Sequence, residues 1–240
     1  MKHGILYLVA VPIGNEEDIS HRAAAVLGSV DLVAMEEAKE GTRLLRRLGI
    51  RARLTTLNEH NEPEASRELL GELTSGHNVA LISDGGTPVF ADPGRLLVSQ
   101  AAEAGIRIVP VPGPSSLMAA LVVTGFRMDR FLFYGWLSPK ADVRRRELRT
   151  LRREPMPIVI LETPYRLLPL MRDLAESFGG GRRICLAFNL TLPDERIFRG
   201  TAEELHREME KLRPKGEFVV VLEGMAGPPL GRPHLRAPRR

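Results

Sequence analysis

Residues 79–94 read VALISDGGTPVFADPG. Val79 to Ser83 is a short apolar run of the kind that forms a buried strand, and the adjacent glycines, the prolines and the closing Gly94 then stop regular structure. Gly85 and Gly86 would let backbone approach a ligand closely, while Asp84 can hold a hydroxyl or an ammonium group. Working outward, the layout recurs twice. LYLVAV at Leu6 to Val11 runs into the loop VPIGN, and IRIVPV at Ile106 to Val111 runs into PGPSS. In an open parallel sheet ligands sit outside the carboxyl ends of the strands, so these three loops are expected to meet at one crevice.

Two further strands, DLVAM at Asp31 to Met35 and the segment around Leu54 to Leu57, alternate with helical patterns such as Ile19 to Leu27 and Glu64 to Leu73. The first ~115 residues therefore read as βαβ units on a largely parallel sheet. Pro112 to Pro114 close the last strand, Ser115-Ser116 open an apolar helix, and a turn at Thr124-Gly125 leads into the new strand RFLFYGW. A basic helix (about Ala141 to Arg153), a strand at Pro157 to Leu161, a helix at about Tyr165 to Phe178 and a strand at Arg183 to Leu190 follow. The chain continues with ERIFRGT, a helix at Ala202 to Leu212 and the strand EFVVVLEG. Successive strands without a crossover helix at 183–200 imply a mixed sheet. The expected fold is α/β with two domains, residues 1–116 around a mostly parallel sheet and residues 117–228 around a mixed one. Residues 229–240 form a basic tail with no acid, expected to be disordered.

The 240 residues, 43% hydrophobic and 27% charged, suit a globular chain with a real core. Cys185 is the only cysteine, which excludes an internal disulfide and a cysteine-cluster zinc site. The apolar run from Ile5 to Val11 is seven residues, too short for a membrane span or a secretory leader, so the expected location is cytoplasmic with no membrane partner. No P-loop, dinucleotide fingerprint, nucleophile elbow or H-E-x-x-H occurs, and the six histidines are scattered, so no metal is expected.

VPIGN, EHNE at 59–62, SDGGTP-x3-DPG, VPGPSS, the TGF…DRFLFYGWLSPK run, ETPYRL at 162–167 and KGEFVVVLEG together resemble the tetrapyrrole-methylase superfamily over nearly the whole chain, Leu6 to about Gly224. Within it the chain is similar to the branch of ribosomal RNA small subunit methyltransferase I, which methylates a cytidine 2′-hydroxyl of 16S rRNA. The resemblance implies two αβα-type domains, S-adenosylmethionine bound in the cleft between them, and a homodimer. Carried over by position, cofactor contacts would fall on Pro12, Gly85, Gly86, Thr87, Phe90, Ser115 and Ser116, and on Glu162 and Leu190 of the second domain. The chain departs from that branch where Glu36-Glu37-Ala38-Lys39 replaces E-D-T-R, Gly85 replaces Ala, Tyr165 replaces His, and Phe188 to Leu192 replaces R-E-L-T-K.

A sulfonium methyl is already activated, so alignment and water exclusion can supply much of the rate. A ribose hydroxyl still gains from a general base, for which Asp84, His60, Glu59 and Glu36 are the candidates. Lys140 to Arg153 carries seven basic residues against Asp142 and Glu147 and follows Trp136. Arg144, Arg145, Arg149 and Trp136 are therefore the expected RNA contacts, with 16S rRNA or the 30S subunit as partner. Two other readings stay open: methylation of a tetrapyrrole or another small substrate, and a non-catalytic cofactor-binding protein.

Overall fold

The computed structural model describes residues 3–225, and the tail expected to be disordered lies outside them. The chain divides into two compact units, Met1–Ala119 with Asn189–Glu195, and Ala120–Phe188 with the chain from Arg196.

The first unit holds strands β1 (Ile5–Val9), β2 (Leu32–Met35), β3 (Arg53–Thr56), β4 (Val79–Ile82) and β5 (Arg107–Val111) in the order β3-β2-β4-β1-β5, every pair parallel. Helices α1 (His21–Leu27), α2 (Ala38–Arg47), α3 (Glu62–Thr74) and α4 (Arg95–Glu103) connect them, and α5 (Ser116–Val122) follows β5. Both faces of the sheet are covered, as a parallel sheet requires. Leu32, Ala34, Val79 and Leu81 pack toward Leu69 and Leu73 of α3 and Leu97 and Ala101 of α4. Their strand neighbours Val33, Met35, Ala80 and Ile82 pack on Ala23 and Leu27 of α1 and Leu45 of α2. This alternation is the two-residue period of a strand, and it makes β2 and β4 buried along their whole length.

The second unit is a mixed sheet in the order β6-β7-β10-β8-β9, from β6 (Leu132–Trp136), β7 (Ile158–Glu162), β8 (Arg183–Phe188), β9 (Arg196–Thr201) and β10 (Phe218–Leu222). Only β6 and β7 run parallel; the other pairs are antiparallel. Helices α6 (Ala141–Leu151), α7 (Leu167–Phe178) and α8 (Ala202–Leu212) share one core with the strands, built on Leu148, Leu170, Leu174, Leu205 and Met209. Thr201 and Glu204 close a reciprocal capping box at the start of α8.

Local chemistry shifts several expected boundaries. Pro164–Arg166 form a 3₁₀ turn, so α7 begins two residues after Tyr165. β8 stops at Phe188 rather than Leu190, because Asn189 takes a left-handed φ of 48° that a strand cannot continue. Segment Asn189–Glu195, expected in the second domain, clusters instead with the first unit. There the Asn15 N–H donates to Thr191 Oγ1 at 2.9 Å, and Gly14 has no Cβ to block the approach, since one would stand 2.9 Å from the Leu190 carbonyl oxygen.

Candidate active site at the carboxyl ends of the parallel strands

The three loops singled out in the sequence are tied to one another by main-chain hydrogen bonds. Val11 N–H donates to the Gly86 carbonyl at 2.9 Å and Gly86 N–H donates back to the Val11 carbonyl at 3.0 Å, which joins the loops after β1 and β4. Thr87 Oγ1 donates to the Pro114 carbonyl at 3.2 Å and brings in the loop after β5. Ala10 N–H donates to the Val111 carbonyl at 3.1 Å. From the far side, one carboxylate oxygen of Glu62 accepts from both Gly94 N–H (2.9 Å) and Leu96 N–H (3.0 Å), pinning the start of α4. That oxygen occupies the place an N-cap side chain would otherwise fill, since Gly94 has none.

The backbone between these anchors is held in conformations that ordinary residues avoid. Gly86 has φ 85° and Gly94 φ 118°, and Val89, although β-branched, sits at φ 73°. Such a valine costs on the order of 1–3 kcal/mol and persists only where its surroundings impose it. Thr191, which docks on Asn15, has φ 67°. Strain thus concentrates in the loop after β4 and in the segment that packs on the loop after β1.

Carboxylates gather at the ends of β2 and β4. Glu36 follows β2 and has its pKa pushed up to about 7 by burial, then by the Asp92 and Asp84 carboxylates. Burial also pushes Asp84 upward, although its Oδ1 accepts the Glu37 N–H at 3.0 Å. Asp92 is raised by burial as well, against the opposing effect of the Ser83 hydroxyl. Among the described residues no three His, Cys, Asp or Glu side chains are arranged to hold a metal ion. A half-buried carboxylate with a pKa near neutrality is suited to accept a proton at physiological pH. Beside this cluster a cavity of about 140 Å³ is lined by Val11, Pro12, Gly14, Glu40, Arg43 and Asp84, among others.

Of the residues named from sequence, Pro12, Gly85, Gly86, Thr87, Phe90, Ser115 and Ser116 all lie in the three joined loops or at the start of α5. Ser115 caps α5 by accepting the Met118 N–H at 3.4 Å, and Phe90 is half exposed. Leu190 is buried in the segment docked on Gly14. Glu162, in the second unit, ends β7; it is 1% exposed, accepts the Thr163 N–H at 2.7 Å and pairs with Arg166 at 2.6 Å, while its Oε2 has no hydrogen-bond partner.

Glu59 and His60 lie in the turn before α3 at the end of edge strand β3, with side chains 82% and 85% exposed and 3.6 Å from each other. Arg144 requires a correction as an RNA contact: it is 3% exposed, and its Nε lies 2.7 Å from Asp173 Oδ2. It also donates to the Ser138 and Pro139 carbonyls. Its spacing of four and seven residues from buried Leu148 and Leu151 places it on the inward stripe of α6. Arg149 is exposed, Arg145 is partly exposed and 3.7 Å from Asp173, and Trp136 at the end of β6 is 49% exposed. Sequence reasoning missed Asp92 and Glu62. Their signal was faint: a carboxylate beside a proline-glycine turn, and one at a helix start.

Residues 5–206 match the family model of the Tetrapyrrole (Corrin/Porphyrin) Methylases. The chain belongs to the tetrapyrrole methylase family. Among this methylase's relatives, the ribosomal RNA small subunit methyltransferase I of Pseudomonas aeruginosa is 44% identical over 95% of this chain and 82% of its own. The protein of the same name from Escherichia coli O157:H7 is 42% identical over 92% of this chain and 78% of its own. Among solved structures, the methyltransferase CobJ superposes with a TM-score of 0.69 at 19% identity, covering 95% of this chain and 97% of that one. Uroporphyrin-III-C-methyltransferase from Thermus thermophilus gives 0.62 at 23% identity, covering 92% and 94%. These two likenesses show the shared two-domain α/β fold. The tetrapyrrole methylase described here is thus a methyltransferase, with S-adenosylmethionine as methyl donor. Its residues fit such a donor. Gly85 and Gly86 leave bare main chain beside Pro12 and Ile13, and the buried Asn189 Oδ1 has no partner and can accept an N–H or O–H.

Proposed function

We propose that this methylase transfers a methyl group to the 2′-hydroxyl of a cytidine in 16S rRNA, within the 30S subunit. The observation that carries the reading is the raised carboxylate of Glu36 beside Asp84 and Asp92, at the mouth of loops bonded together through Val11, Gly86, Thr87 and Pro114. The identity of 38–44% to proteins named for small-subunit ribosomal RNA gives the substrate class.

S-adenosylmethionine supplies a methyl group activated by its sulfonium. Pro12, Gly85, Gly86, Thr87, Phe90, Ser115, Ser116 and Leu190 would hold it. The loops fix its direction through main-chain groups, which cost little reorganisation because the strained backbone is already set. Glu36 would take the proton of the acceptor ribose hydroxyl. Burial, and then Asp92 and Asp84, keep Glu36 basic enough to do so, and Asp84 rather than His60 or Glu59 is the second candidate for this role. Exposed Arg149 and partly exposed Arg145 of α6 meet phosphates, and Trp136 stacks on an unpaired base.

The protein works as a homodimer in the cytoplasm. Exposed Met118 and Val122 lie four residues apart on α5, an apolar pair that a second copy would cover. Labelled-methyl transfer offered in parallel to 30S subunits, free 16S rRNA and tetrapyrrole precursors tests the reading. Label on a cytidine ribose of the RNA supports it, and label only on the tetrapyrrole sinks it. Sedimentation analysis tests the dimer.

A further inference from the structure

Helix α2 departs from the family pattern at its start, with Ala38-Lys39 where the related branch has T-R, and it carries a run of cations the proposed mechanism does not use. Its inward stripe is fixed by Gly41 and Leu45, which pack on β2; a Cβ at Gly41 would stand 2.5 Å from Met35 Sδ. With that face committed, Lys39, Arg43 and Arg46, spaced four and three residues apart, share the outward face and are all exposed. They span about 10 Å of helix axis at 1.5 Å per residue. Together with Ala38 and Thr42 they line an open groove of about 460 Å³. Arg43 also lines the smaller cavity that reaches Pro12 and Asp84, so this one side chain borders both groove and cavity.

The two compartments differ in charge. The cavity carries Glu16, Glu40 and Asp84 against Arg43, and Arg43 is itself paired with Glu40 at 2.8 Å, so the cavity repels a phosphate. Its carboxylates can accept from the amino group of a base, as acidic side chains do with cytosine. The groove carries no carboxylate, and neither Lys39 nor Arg46 is engaged in any of the ion pairs of the described residues.

We infer that the outward face of α2, through Lys39 and Arg46 with Arg43 at the junction, binds the phosphodiester backbone of the acceptor RNA and leads its target nucleotide toward Asp84. This rests on the RNA reading above and adds to it the surface that holds the strand. Cations that neutralise phosphates release counterions, so their removal flattens the dependence of binding on salt.

The test uses the full-length protein with 16S rRNA transcript and 30S particles. Lys39→Ala/Arg46→Ala keeps helix propensity, so the variant is expected to fold. Binding is measured from low to high salt, and S-adenosylmethionine affinity is measured separately by calorimetry. The expected result is weaker RNA binding, a plot of log affinity against log salt that is shallower by about one for each cation removed, and unchanged donor affinity. A raised KM for RNA should accompany it. If the wild type binds and methylates RNA while the variant keeps the wild-type salt slope and KM, the inference is overturned and the function stands. If the wild type neither binds nor methylates RNA, the proposed function fails and takes this surface with it.

Discussion

The two sheets treat charge in opposite ways. At the carboxyl ends of the parallel strands, Glu36, Asp84 and Asp92 gather beside their own kind, and all three hold their protons more tightly than usual. In the unit with the mixed sheet, buried cations meet opposite charge or carbonyl oxygens. Arg144 meets Asp173, and Arg182, 7% exposed, donates to the carbonyls of Leu151, Glu154, Met156 and Glu223 while lying over the Phe178 ring. A buried cation held by such partners is structural, because its free energy lies in the contacts it already has. Like charges left without a counter-ion are poised to exchange a proton.

The contrast can be broken most sharply at Asp173. Asp173→Ala leaves the Arg144 guanidinium buried and unpaired, which should cost about 3–5 kcal/mol in denaturant unfolding of the second unit. Arg149→Ala, on the exposed face of the same helix, should leave stability unchanged. An equal loss in both variants would mean that the pair is no more structural than the surface.

Glu36→Gln should lower turnover by about 10²- to 10⁴-fold with donor affinity retained. The wild-type rate should rise through about pH 7 as Glu36 ionises, and the variant profile should be flat there. Stability runs the other way. Glu36 has an ordinary value of 4.5 and a folded value of about 7, so between them the folded protein holds a proton that the unfolded chain has released. This group therefore removes stability as pH rises through that window, and Glu36→Gln abolishes the loss. A variant with reduced turnover but the wild-type pH dependence of both rate and stability would remove Glu36 from the mechanism.

Smaller effects separate the glycines. Gly94→Ala forces a side chain into φ 118° and within 2.6 Å of Leu81 Cδ2, with an expected cost of about 1–3 kcal/mol in thermal unfolding. Gly85→Ala meets the Pro12 carbonyl oxygen at 3.5 Å and Ile13 Cα at 3.8 Å, both ordinary contacts, and should change stability by less than about 0.5 kcal/mol. The related branch reads Ala at this position, in keeping with that space. A large loss at Gly85 would show that the loop closes more tightly than its hydrogen bonds indicate.

The loop after β4 was legible because its signals are local: adjacent glycines, prolines and a strand of four buried residues each constrain the backbone within a few positions. Two comparable loops at two other strand ends made their meeting an inference from parallel-sheet geometry alone. The arginine run of α6 was legible only as composition. Its inward member follows from helical period, but what it meets, Asp173, is 29 residues away on α7.

By itself, then, the sequence determined the alternation of strands and helices, the parallel and mixed sheets, and the loops that carry the glycines, because backbone sterics and hydrophobic period act over a few residues. Only the tertiary structure decided that Glu36 and Asp92 converge, that Glu62 caps α4, that Asn189–Glu195 docks on Gly14, and that Arg144 is spent inside the core. A pKa and a counter-ion depend on desolvation and on charges brought together from distant parts of the chain, and sequence spacing carries no measure of either.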